Sequence, residues 1–191
     1  MIECPQKEVS VMAVEHVPSP AARFGGFAAG HFVVTALCAP LLFLTPGLLG
    51  SVSTPLRALL LMAVCYLPAG WIVASLRGWG RPSPREGLKA VLYPALFAWG
   101  WAFGGWLLFC CSSLLSSIGF LMLMSTYFLA APSFVLMLTA LEQIADITAW
   151  NAFGLIWYLC IFLAGLLPPL LFFAGSLLPK KRLTKAENVI K

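Results

Sequence analysis

The stretch AVLYPALFAWGWAFGGWLLFCCSSLLSSIGFLMLMSTYFLAAPSFVLMLTAL, residues 90–141, runs from Lys89 to Glu142 without a single charged side chain. About 20 apolar residues are enough to carry a helix across the hydrocarbon core of a bilayer, so a run of this length must cross twice. That places the chain among polytopic membrane proteins, and the rest of the sequence agrees. Further charge-free runs extend from Phe24 to Leu56, from Ala58 to Leu76 and from Ile147 to Pro179. With 61% hydrophobic and 10% charged residues and a mean hydropathy of +0.93, the composition lies far from soluble domains, in which about a quarter of residues are charged.

The fold class expected is therefore all-α, a polytopic integral membrane helix bundle of about five transmembrane helices with proline kinks. An open strand edge in lipid leaves backbone groups unpaired, whereas a helix satisfies its own. The spans are read at about 26–44, 58–76, 90–111, 118–140 and 152–175, within a transmembrane region 25–179 between a polar N-terminal segment, 1–24, and a basic C-terminal tail, 180–191. Turn-forming residues mark the connectors. Residues 45–57 mix Pro, Gly, Ser and Thr, residues 77–89 (RGWGRPSPREGLK) read as the clearest loop, and CSSLLSS, 111–117, reads as a polar break between two helices. Glu3, Glu8 and Glu15 near the start do not fit a cleavable secretory signal.

Five crossings would place Lys7, Arg23, Arg77, Arg81, Arg85 and Lys89 on one side, and Arg57, Lys180, Lys181, Arg182, Lys185 and Lys191 on the other. The charge rule for cytoplasmic loops favours both the 77–89 loop and the tail, which five crossings separate. A break at Pro168-Pro169, with the last segment entering and leaving on one face, is one way out, because proline removes a backbone donor and its ring crowds the preceding turn. The reading kept is five spans with the N-terminus inside, in a bacterial cytoplasmic membrane. The partners expected are the lipid bilayer and either further copies of this chain or other membrane subunits. The net charge of +5 sits in short loops and the tail, where it faces anionic headgroups rather than nucleic acid.

Three groups of residues carry candidate chemistry. Gly26 and Gly30, and likewise Gly100 and Gly104, are four apart, which lets a neighbouring backbone approach where van der Waals contact replaces the hydrophobic effect. Glu142 and Asp146 share a helix face and, with Pro132 and Pro168, mark a ligand or ion pathway, although helix-end carboxylates also escape the cost of burial by facing the interface. The third group is GGFAAGHFVVTALC, residues 25–38, where His31, Thr35 and Cys38 form one stripe of a helix.

A histidine beside a cysteine can generate a thiolate nucleophile. Arg23, the glycine-rich approach, His31 and Cys38 together resemble the motif of the accessory-gene-regulator membrane peptidases, which trim quorum-sensing propeptides in Gram-positive bacteria. The resemblance implies an intramembrane peptidase with Cys38 as nucleophile and His31 as its base. On a straight helix, however, a spacing of seven separates the two by about 10 Å, too far for direct proton transfer.

No G-x-S-x-G, H-E-x-x-H or phosphate-binding glycine loop occurs, and two histidines, one of them in the polar N-terminal segment, argue against a catalytic metal site. No cofactor and no metal is expected. The leading expectation is a transport component or membrane-embedded assembly partner for a neutral or hydrophobic ligand or for other subunits. The alternatives are the Cys/His peptidase and a structural subunit of a membrane complex.

Overall fold

The computed structural model describes residues 17–44, 55–111, 113–129 and 155–178. Among these the chain forms an all-helical bundle: α1 (Pro20–Leu44), α2 (Pro55–Leu76), α3 (Pro84–Phe109), α4 (Ser113–Leu129) and α5 (Leu155–Ser176). α1, α2, α3 and α5 contain stretches long and apolar enough to cross a membrane, and α4 is a shorter apolar helix. Pro132, Glu142 and Asp146, most of the polar segment 1–24 and the tail 180–191 lie outside the described residues.

α1 and α3 both begin six residues before the start expected from hydropathy, at 20 rather than 26 and at 84 rather than 90. The reason is a Ser-Pro pair. Ser19 accepts from the Ala22 N–H at 3.3 Å. Ser83 accepts from the Glu86 N–H at 3.4 Å, while Glu86 accepts from the Ser83 N–H at 2.9 Å. This reciprocal pairing satisfies donors that a helix start otherwise leaves open, and Pro84 at the first helical position gives up no hydrogen bond. The expected 77–89 loop therefore shrinks to residues 77–83, turned at Gly78, whose φ of 60° suits a residue without a side chain. The expected 111–117 break is also too long, since α4 already starts at Ser113.

Pro168 and Pro169 do not break the last helix. Both lie inside α5 and both are fully buried. Each ring takes the place of a backbone donor to the carbonyl four residues before it, at Ala164 and Gly165. Packed neighbours hold a proline-bearing membrane helix that would be unstable alone.

Two close backbone contacts organise the bundle. A side chain at Gly70 would strike the Phe172 carbonyl, and one at Gly175 the Leu67 carbonyl, so α2 and α5 touch backbone to backbone. Gly119 of α4 sits in the same way against the Gly105 carbonyl and Phe109 of α3. Such contacts serve a membrane bundle because lipid tails already solvate apolar side chains, leaving packing as the attraction between helices. The outward surface is accordingly apolar, with Leu76 78% exposed, Leu114 75% and Phe32 67%.

α5 runs antiparallel to α3, with Phe173 near Gly87 and Tyr158 stacked near Phe103 at 6.1 Å. Its C-terminal Ser176 borders a small cleft with Arg23, Trp79 and Ala90. The end of α5 thus meets the start of α1 and the 77–83 loop. Five crossings would have left it on the far side.

Candidate functional site

A cavity of about 570 Å³ lies between α1, α3 and α5, with Thr126 of α4 at its edge. Its walls come from residues one helical turn apart: Phe24, Phe27 or Ala28, His31 and Thr35 on α1, Phe97 and Trp101 on α3, and Ile161, Ala164 or Gly165, and Pro168 on α5. This three-and-four spacing is what a helix needs to present one face. The cavity is almost wholly apolar and aromatic, and its α3 wall continues to the outside, where Phe97 is 64% exposed.

His31 is the principal polar side chain on the α1 wall. Its Nδ1 lies 2.8 Å from the hydroxyl of Tyr66 on α2, and its ring stacks between Phe27, at 5.5 Å, and Tyr66, at 5.7 Å. Tyr66 is completely buried, so this hydrogen bond provides a partner to a hydroxyl that would be costly to leave alone in the bundle interior. Trp101 donates its indole N–H to Ser125 Oγ at 2.9 Å, and Thr126 Oγ1 donates to the Met122 carbonyl at 2.9 Å. The polar groups bordering the cavity thus have partners inside the protein.

His31 and Cys38 are not brought together. α1 is helical throughout 31–38, which keeps them about 10 Å apart along its axis. His31 turns to Tyr66, and Cys38 Sγ lies 3.5 Å from Cys65 Sγ of α2. Among the described residues, no group of three or more His, Cys, Asp or Glu side chains is placed to hold a metal ion.

The other sequence candidates fall as follows. Gly26 lies against the Trp79 ring and Gly30 against the Phe172 ring, so each admits an aromatic wedge rather than a helix backbone. Gly100 has no described neighbour within 4 Å of where a Cβ would stand, and Gly104 only ordinary contact with Met122 at 3.7 Å. Pro168 lines the cavity. Trp79, whose position after α2 suits a headgroup anchor, is instead only 6% exposed. Its ring lies beneath the guanidinium of Arg23 at 5.5 Å and that of Arg77 at 5.8 Å. Arg23, itself 4% exposed, also donates to the Gly80 carbonyl at 3.4 Å.

Sequence reasoning missed Tyr66 and Cys65 as partners, while Trp101 of the α3 wall lies in the stretch FAWGWAFGGW, whose aromatics read as facing lipid or an apolar ligand. A signal existed for the walls, since Phe24, Phe27, His31 and Thr35 share a face of α1 and Phe97 and Trp101 are four apart. No local signal pairs residue 31 with 66 or 38 with 65.

Fold and site together define a multi-pass helical membrane protein with an apolar cavity between its helices that opens to the outside at Phe32 and Phe97. Comparison of the chain with models of known protein families, with curated proteins and with solved structures yields no match.

Proposed function

We propose that the protein holds a neutral, hydrophobic small molecule in the cavity between α1, α3 and α5, as a transport component or as an assembly partner presenting that ligand to other membrane subunits. The observation that carries this reading is the cavity itself. Its volume of about 570 Å³ falls within the ~300–1,000 Å³ span of small-molecule sites. Its bordering polar groups are paired internally: His31 with Tyr66, Trp101 with Ser125 and Thr126 with Met122. A strongly polar ligand would have to break these bonds or bury its own groups unpaired, and both are costly. An apolar one faces neither cost.

The test uses a nitroxide-labelled acyl chain as probe, with the protein in lipid nanodiscs. Trp101 lines the cavity, so occupancy quenches its fluorescence. Saturable quenching that disappears in Trp101→Phe, and that weakens when Ala28→Phe or Ala98→Phe fills the space, supports the proposal. Quenching that rises linearly with probe and ignores both filling variants defeats it.

A further inference from the structure

α1 is one wall of the cavity, and α2 contributes no residue to the lining. The backbone-to-backbone contacts join α2 to α5 and α3 to α4, whereas α1 is attached through side chains: Trp79 on Gly26, Phe172 on Gly30, the His31–Tyr66 hydrogen bond and the Cys38–Cys65 contact. The position of α1 against α2 therefore sets the width of the cavity. Near its start α1 is also tied by Arg23 on the Gly80 carbonyl and by Phe24 against Phe97 of α3 at 6.0 Å.

Cys38 and Cys65 are both free thiols and both half-buried. Their sulfurs are 3.5 Å apart, and a disulfide of about 2.05 Å requires them to close by about 1.5 Å. Among the remaining described cysteines, Cys111 donates instead to the Leu107 carbonyl at 3.3 Å, and Cys160 is buried in α5.

We propose that Cys38 and Cys65 form a redox-closed clasp, a modification site at which a lipid hydroperoxide converts the two thiols to a disulfide and locks α1 against α2. Both sulfurs sit within helices long and apolar enough to cross a membrane, so the oxidant must dissolve in hydrocarbon. A lipid hydroperoxide does so, and a charged peptide disulfide does not. One thiol gives up its proton as its sulfur attacks the terminal peroxide oxygen, and that proton is the one the alkoxide then takes up. The O–O bond breaks, the departing alkoxide takes up a proton to leave as an alcohol, and a sulfenic acid forms. The second thiol then attacks the sulfenic sulfur, forming the S–S bond and breaking S–O, and the hydroxide leaves with the thiol proton as water. The thiols lose two electrons and the hydroperoxide gains them. Closing the clasp fixes the α1 wall and slows exchange of whatever occupies the cavity, a consequence that rests on the reading of the cavity as a ligand site.

The experiment uses the full chain, reduced and in nanodiscs, with cumene hydroperoxide as oxidant and the nitroxide-labelled acyl chain as probe. The expected product is a peptide linking Cys38 to Cys65, accompanied by a loss of two hydrogens in the intact mass. It forms in Cys110→Ser and Cys111→Ser but not in Cys38→Ser or Cys65→Ser. Probe exchange slows by roughly tenfold on oxidation, within the usual range of coupling between sites, and recovers with dithiothreitol. Absence of the linked peptide overturns the clasp, as does a linked protein that binds probe and exchanges it at the reduced rate. A reduced protein that binds no probe defeats the cavity reading and the gating role together.

Discussion

The Nδ1 atom of His31 and the hydroxyl oxygen of Tyr66 lie 2.8 Å apart across the α1–α2 contact. This places a polar pair, 35 positions apart in sequence, within a core of Val34, Met62, Ala74 and Phe172. Tyr66→Phe removes the hydroxyl and leaves His31 without this partner. A loss of about 0.5–1.5 kcal/mol is expected, the net worth of one such hydrogen bond, and a lowered thermal unfolding midpoint in detergent would report it. An unchanged midpoint would show that the pair contributes nothing to holding α1.

The glycines divide sharply in what they tolerate. Gly175→Leu drives a side chain into the Leu67 backbone, which cannot give way as a flexible side chain can, so a cost at or above the usual ~1–3 kcal/mol of overpacking is expected. Gly100→Leu meets no described neighbour and should leave the folded fraction unchanged. Resistance to unfolding by sodium dodecyl sulfate separates the two, and equal sensitivity would contradict the packing described.

Trp79 fills the space left by Gly26 and lies under two guanidinium groups. Trp79→Ala should therefore cost about 3–5 kcal/mol, the range for deletion of a large buried aromatic side chain. Gly26→Leu, which competes for the same space, should destabilise as well. If Trp79→Ala melts with the parent protein, the ring is an ornament of the loop and not a wedge in the bundle.

Ser176 borders the same cleft as Arg23 and Trp79. Single cysteines at Pro82 and Leu178, in a background lacking the native cysteines, should then react with a membrane-impermeant maleimide from the same face of the bilayer. Labelling from opposite faces would overturn this arrangement of α5.

Much of the fold was legible in the sequence because its determinants are local. Hydropathy located the helices, and the ends of α1 at Leu44 and α2 at Leu76 fall where the apolar runs stop. The starts of α1 and α3 were missed, although Ser19-Pro20 and Ser83-Pro84-Arg85-Glu86 spell out the capping that sets them. Capping satisfies backbone donors and does so whether or not the first turn is apolar. Pro168-Pro169 read locally as a break, and the helix passes through them because the surrounding bundle buries both rings.

The sequence alone determined that this is a helical membrane protein, because the cost of an unpaired backbone in lipid leaves a long charge-free run one principal solution. Only the tertiary structure decided which residues meet. Cys38 faces Cys65 rather than His31, His31 faces Tyr66, Gly175 rather than Gly100 carries a close helix contact, and α1, α3 and α5 line an open-sided cavity. In lipid every outward apolar face is solvated equally well, so hydropathy does not select partners. Helix pairing follows from shape, through glycines, aromatic wedges and a few buried hydrogen bonds, and shape complementarity exists only once the helices are side by side.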